Sequence, residues 1–265
     1  VTLSATGATT VAIGGSISMD AFEGVANFTG KGVKLTGLVG AKSLTATISS
    51  PSSIVTTETV TITYGAATKL VLTTSPLGFV NRTNFTTQPV ITVQDASGNT
   101  VENSSISIDV AIDSGTLTGT TQVAAVNGIA TFSGLGKNGT VGSKRLTFTK
   151  TGGGLTEATF DFTLTYGAIH HLNVNVAGTL INDTAWATQP VVAIQDEDNN
   201  TVDVTDTVTL TATGATTVAI GGTTSMQAVN GVANFTGKGV KLTGLVGSKT
   251  LTATITSGNG FAKDT

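Results

Sequence analysis

Short stretches in which apolar and polar residues alternate recur along the whole chain, with glycine-rich punctuation between them. Val1-Thr2-Leu3-Ser4-Ala5, Ser43 to Ile48 and Thr59 to Tyr64 all follow this pattern. So do Ile106, Ile108, Val110 and Ile112, which alternate with Ser107, Asp109 and Ala111. Phe160-Asp161-Phe162-Thr163-Leu164-Thr165-Tyr166 alternates most strongly. A period of two puts every second side chain on one face, so these stretches predict half-buried strands. No stretch has the 3.6-residue period of an amphipathic helix. Turn signals such as Gly14-Gly15, Gly37-Leu38-Val39-Gly40 and Ala96-Ser97-Gly98-Asn99 separate the strands.

One stretch organises the rest. Gly24-Val25-Ala26-Asn27-Phe28-Thr29-Gly30 returns at Gly128–Gly134 and again at Gly231–Gly237, and each copy predicts a short strand between two turns. The chain therefore reads as modules of about 100 residues: the C-terminal part of one in 1–65, a complete one in 66–167, and one lacking its last strand in 168–265. About seven short strands per module, with no helix between them, predict all-β, immunoglobulin-like antiparallel β-sandwiches. Residues 1–50 and 208–257 agree at 41 of 50 positions, whereas the middle module differs from both, so the larger repeat is a pair of modules 207 residues long. Gly65-Ala66-Ala67 and Gly167-Ala168-Ile169 join successive modules directly, which predicts stiff joints.

Composition sharpens this. The 54 threonines suit the solvent face of a strand, being β-branched and half polar. The net charge of −3 provides no basic field for nucleic acid. No apolar run is long enough for a membrane-spanning helix. There is no cysteine, so disulfides and thiolate metal sites are excluded.

The residues now quoted carry a resemblance. A strand, the turn Asp95-Ala96-Ser97-Gly98-Asn99 before Thr100-Val101, the strand Gly128 to Phe132 and then Gly142 resemble bacterial immunoglobulin-like tandem repeats of the invasin and intimin type. In the third module the turn is Asp196-Glu197-Asp198-Asn199-Asn200, with Asn in place of Gly. Asparagine tolerates the left-handed conformation, so the turn can persist. The resemblance implies a surface stalk or adhesive rod.

Candidate chemistry is sparse. The two histidines, His170 and His171, are adjacent at a joint, and adjacent strand residues point to opposite faces. No catalytic residue is assigned, and the chain is not expected to be an enzyme. Asp196, Asp198 and Asn200 supply clustered oxygens that could hold calcium, the one cofactor considered, or form a solvated hairpin turn. Sequons for N-glycosylation occur at Asn27, Asn81, Asn84, Asn103, Asn138, Asn182, Asn199 and Asn234. Trp186, the counterpart of Phe85, is expected to plug a sandwich end, with a carbohydrate platform as the other reading. Lys144 and Lys249 are candidates for isopeptide cross-links to Asn.

The expected role is structural: a segment of a long extracellular or cell-surface filament, stalk or adhesin. Its partners would be neighbouring repeats or other copies of the chain. The alternative is an adhesion module that binds a glycan or a receptor.

Overall fold

In a computed structural model the structure is described for residues 1–50, 53–176 and 180–256. The described residues form strands and turns with no helix, and the sheets are antiparallel. The expectation that the third module lacks its last strand concerns residues after 256, which lie outside the described part.

The strand pairings fall into three groups along the chain. In the middle group, Gln122–Ala124, Ser107–Ile112, Gly142–Lys150 and Ala158–Leu164 form a four-stranded sheet in that order. Facing it is a sheet of Ile129–Thr131, Val90–Gln94 and Lys69–Thr74. Ile91, Val93 and Ala130 from one sheet meet Ile108, Leu146 and Phe148 from the other, and all six are fully buried. At one end Phe79, Phe85, Phe160 and Phe162 cluster, with the Phe79 and Phe162 ring centroids 4.4 Å apart. Such aromatic contacts add stabilisation beyond the area they bury.

This group has ten strand stretches rather than about seven. The extra pieces are short: Thr83–Asn84, Gly136–Asn138 and Thr116–Thr118 form a small sheet of their own. Glycine turns at Gly119 and Gly134, both with positive φ, interrupt what would otherwise be longer strands.

The third group repeats the plan. His171–Asn175, Val191–Gln195 and Val232–Asn234 form one sheet, and Ser225–Gln227, Thr207–Gly214 and Lys249–Thr256 the other. Leu172, Val192, Ile194, Val208, Leu210, Phe235, Ala253 and Ile255 fill the space between them.

The first group departs from expectation. Thr2–Thr6, Gly40–Ile48 and Ile54–Ile62 form a sheet, and Val11–Gly14 pairs with Lys34–Gly37. Gly24–Gly30 is not a strand here, although its copies Ile129–Thr131 and Val232–Asn234 are. Those copies pair with Val90–Gln94 and Val191–Gln195, and residues 1–65 contain no counterpart of that strand. Burial follows the same rule. Ala233, Phe235 and Val240 are fully buried, whereas the same residues in the first group, Ala26, Phe28 and Val33, are only half-buried. A strand needs a hydrogen-bonding neighbour and a covering layer as well as an alternating sequence.

Candidate functional site

The residues with the most distinctive chemistry gather where one group of sheets meets the next. Strands end at Ile62 and resume at Lys69, then end at Leu164 and resume at His171. Across both gaps the same two side chains, an Asp and an Asn from one hairpin turn, tie the chain together.

At the first joint the turn is Asp95–Asn99. Asp95 Oδ1 accepts the N–H groups of Ser97 and Asn99, both at 2.9 Å, which folds the turn on itself. Its Oδ2 accepts the linker N–H of Gly65 at 2.8 Å and Asn99 Nδ2 at 2.9 Å. The Asn99 amide then bridges to the preceding group. Its Oδ1 accepts Val39 N–H at 2.8 Å, and its Nδ2 donates to Gly37 O at 3.0 Å. Asp95 and Asn99 are both buried.

The second joint repeats these bonds with Asp196–Asn200. Asp196 Oδ1 accepts Asp198 N–H and Asn200 N–H, and Oδ2 accepts Gly167 N–H at 2.9 Å. Asn200 Oδ1 accepts Val141 N–H at 2.9 Å, and Nδ2 donates to Gly139 O at 3.0 Å. The clasp is thus the same set of atoms in both places, an Asp-x-x-x-Asn turn closing on a Gly-x-Val loop and a linker Gly.

The second joint has an added layer. Asn81 is 1% exposed, and its Nδ2 donates to Asp196 Oδ2 at 2.8 Å and Asp198 Oδ2 at 2.9 Å. Its Oδ1 accepts Gly139 N–H at 3.0 Å. Arg82 places Nε 2.9 Å from Asp198 Oδ2 and a terminal nitrogen 2.8 Å from Glu197 Oε1. The carboxylates respond to these donors. Burial works to raise the Asp196 pKa, but the N–H of Gly167 and the amides of Asn200 and Asn81 outweigh it and lower the value to about 2. Asp198 is held low first by Arg82, against burial, with help from Asn81. Asp95 is also lowered, because hydrogen bonds from Asn99, Gly65 and Ser97 overcome its burial.

The three residues singled out for calcium, Asp196, Asp198 and Asn200, do share this turn. Their oxygens face N–H donors from five backbone groups, Gly139, Val141, Gly167, Asp198 and Asn200, and from three side chains, Asn81, Arg82 and Asn200 itself. A cation would have to displace those donors. Among the described residues no group of three or more His, Asp or Glu side chains is arranged to hold a metal.

The remaining sequence candidates are placed as follows. Asn81 is spent on the clasp, and a glycan there would open the joint. Asn27, Asn84, Asn103, Asn182, Asn199 and Asn234 are exposed, and Asn138 is half-buried. Trp186 is buried in the third core, as Phe85 is in the middle one. Lys144 donates to Ser114 Oγ at 3.1 Å, and Lys249 to Thr216 O at 3.2 Å, so each ammonium meets oxygen from a neighbouring turn and, among the described residues, not an asparagine. Lys42 reaches Thr9 in the same way. The histidines, expected to point apart, approach with Nδ1 atoms 3.3 Å apart, since only His171 lies within the strand.

Fold and site together define a class: immunoglobulin-like β-sandwiches set in succession and joined by turn clasps. No family model matches the chain, and no curated protein matches it in sequence. Among solved structures it is similar to InvD of Yersinia pseudotuberculosis, with 18% identity over 98% of this chain and 87% of that one, at a TM-score of 0.38. It is also similar to a β-glucuronidase of Parabacteroides merdae, with 16% identity over 48% of this chain and a TM-score of 0.30. The chain spans only 16% of the glucuronidase. At these scores neither likeness bears on what this chain does.

Proposed function

We propose that the chain is a load-bearing segment of an extracellular or cell-surface filament, stalk or adhesin, in which each sandwich is held to the next by an Asp–Asn turn clasp. The observation that carries this reading is the recurrence of one set of bonds at two successive joints, with Asp95 and Asp196 spaced 101 residues apart. A linker with a tethering role alone has no need to bury an aspartate and an asparagine at every junction. A clasp that fixes orientation does, because a buried polar group stays favourable only while its partners are in place.

On this reading the function is mechanical. The acids of the joint are used to accept N–H groups, and the clasp needs no cation. Partners are neighbouring modules of the same kind. The surface location rests on the resemblance to invasin- and intimin-type repeats. Electron microscopy of the native material tests the proposal: ordered rods or fibres with a repeat of one module, or of a module pair, are expected. Isolated particles with freely jointed beads would overturn it.

A further inference from the structure

The third group of sheets carries the receiving half of a clasp, and among the described residues nothing closes on it. In the first and middle groups the clasp closes on the loops Gly37–Gly40 and Gly139–Gly142. The third has the same loop at Gly244–Gly247, already in the same conformation. Gly37, Gly139 and Gly244 have φ of 148°, 128° and 146°, and Gly40, Gly142 and Gly247 have φ of 119°, 109° and 135°. Asn182, the counterpart of Asn81, is also in position, with its Oδ1 accepting Gly244 N–H at 3.0 Å as Asn81 does from Gly139.

Val39 and Val141, whose N–H groups are taken by Asn99 and Asn200, are 43% and 41% exposed, whereas Val246 is 90% exposed. Ile181 is 69% exposed where its counterpart Val80 is 39%. Among the described residues the Val246 N–H and the Asn182 Nδ2 donate to nothing.

One residue differs in a way that selects the occupant. The position of Arg82 is taken by Asp183, and both adopt positive φ, 60° and 58°. Arg82 faces Glu197 and Asp198 of the acidic turn. Asp183 instead pairs with Lys241 at 2.7 Å, which among the described residues leaves no free cation at that point. An acidic turn brought here would set two carboxylates against a third. A turn of the middle type has Ala96 and Ser97 at those positions and brings none.

Resting on the clasp reading above, we propose that the Gly244–Gly247 loop with Asn182 is a socket for a further immunoglobulin-like module whose turn is of the neutral Asp-Ala-Ser-Gly-Asn type. The Arg82/Asp183 exchange enforces the alternation of module types. Like charges in contact suppress the wrong partner, and a matched pair admits the right one.

The test extends the chain past Thr265 with a copy of residues 59–167, following the 207-residue repeat, and follows amide hydrogen exchange by NMR. Val246 is expected to slow by about fivefold or more relative to the unextended chain, the factor one hydrogen bond of ordinary strength supplies. Changing the appended copies of Ala96, Ser97 and Gly98 to Glu, Asp and Asn should abolish the slowing, and adding Asp183→Arg should restore it. Equal protection by both turns would overturn the selectivity. Unchanged Val246 exchange, with Val39 and Val141 still protected, would overturn the socket and leave the clasps standing. If Val39 and Val141 exchange as freely as Val246, the clasp reading itself falls. A second variant needs no extension. Arg82→Asp should speed Val141 exchange, and adding Glu197→Ala and Asp198→Ser should reverse that; no effect would overturn the charge rule.

Discussion

A single asparagine amide does two jobs at each joint, and the cost of losing it can be set from its partners. Asn200 supplies an acceptor to Val141 N–H and a donor to Gly139 O, and it also covers Asp196. Asn200→Ala removes both bridging bonds and leaves a buried carboxylate short of a donor. Ordinary hydrogen bonds contribute about 1 kcal/mol each, and bonds to a charged group about 1.5–3 kcal/mol. A loss of roughly 3–5 kcal/mol for the third group is expected, read as a lower midpoint in urea unfolding. The aspartate sets the pH response. With its folded pKa at about 2, below the 3.8 of a free side chain, Asp196 contributes stability that is fully present above about pH 4. That contribution is lost as pH falls through 4 towards 2, when the carboxylate gains a proton and can no longer accept from Gly167, Asn200 and Asn81 together. Urea midpoints measured from pH 6 down to 2 check this. Asp196→Asn should flatten the fall, and its persistence unchanged would assign it to other groups. The acids of this turn were visible in the sequence, but their use was not. Gly139, Val141 and Arg82 lie 55 or more positions away from the turn, and only the fold brings those donors to it.

At the scale of one element, the Gly-flanked repeat shows how far a sequence pattern reaches. Its alternation correctly marks strands at Ile129–Thr131 and Val232–Asn234, but the same pattern at Gly24–Gly30 forms no strand. The pattern specifies which face would be buried. The partner strand decides whether that happens. The leading glycine of each copy makes this testable. Gly231 has φ of 76°, and a Cβ there would sit 2.1 Å from Val202 O, which lies just past the clasp turn. Gly24 has φ of 81°, but a Cβ there would meet nothing within 4 Å. Gly24→Ala therefore costs only the left-handed backbone, about 1 kcal/mol. Gly231→Ala adds a backbone clash and is expected to cost about 2 kcal/mol more, since the hairpin must shift. Thermal unfolding of the two single variants measures the difference, and equal losses would refute the packing explanation. Trp186 and Phe85 were legible as equivalent core aromatics because they hold the same place before Thr-Gln-Pro in two copies. Lys42, Lys144 and Lys249 were equally regular, each two residues after a glycine, yet their hydroxyl and carbonyl partners lie about 30 residues away in a different turn.

For the whole molecule, the proposed role requires the clasps to let a string of marginal sandwiches transmit force. Each module of about 100 residues has a thin margin of stability on its own. A joint that buries an Asp and an Asn couples the orientation of one module to the next without enlarging either core. Stiffness should then depend on a few hydrogen bonds more than on linker length, which is six residues at both joints, 63–68 and 165–170. Breaking both clasps in one chain, with Asn99→Ala and Asn200→Ala, leaves the two cores described above untouched. Small-angle scattering of that double variant should show a shorter maximum dimension and a broader distance distribution than the parent, while circular dichroism keeps the same strand signature. A calcium titration of the parent followed by chelator separates the clasp from a metal joint. Because the turn's oxygens already accept N–H groups, scattering and melting temperature are both expected to stay unchanged. A calcium-dependent lengthening would instead show that a cation enters the Asp196–Asn200 turn and stiffens the joint in place of Asn81 and Arg82. Exposed ion pairs such as Arg82–Glu197 are screened by salt, whereas the buried Asp–Asn bonds are screened far less. The parent's dimensions should therefore change little between low and high ionic strength. A rod that slackened at high salt would place the stiffness in the charges instead of in the clasp.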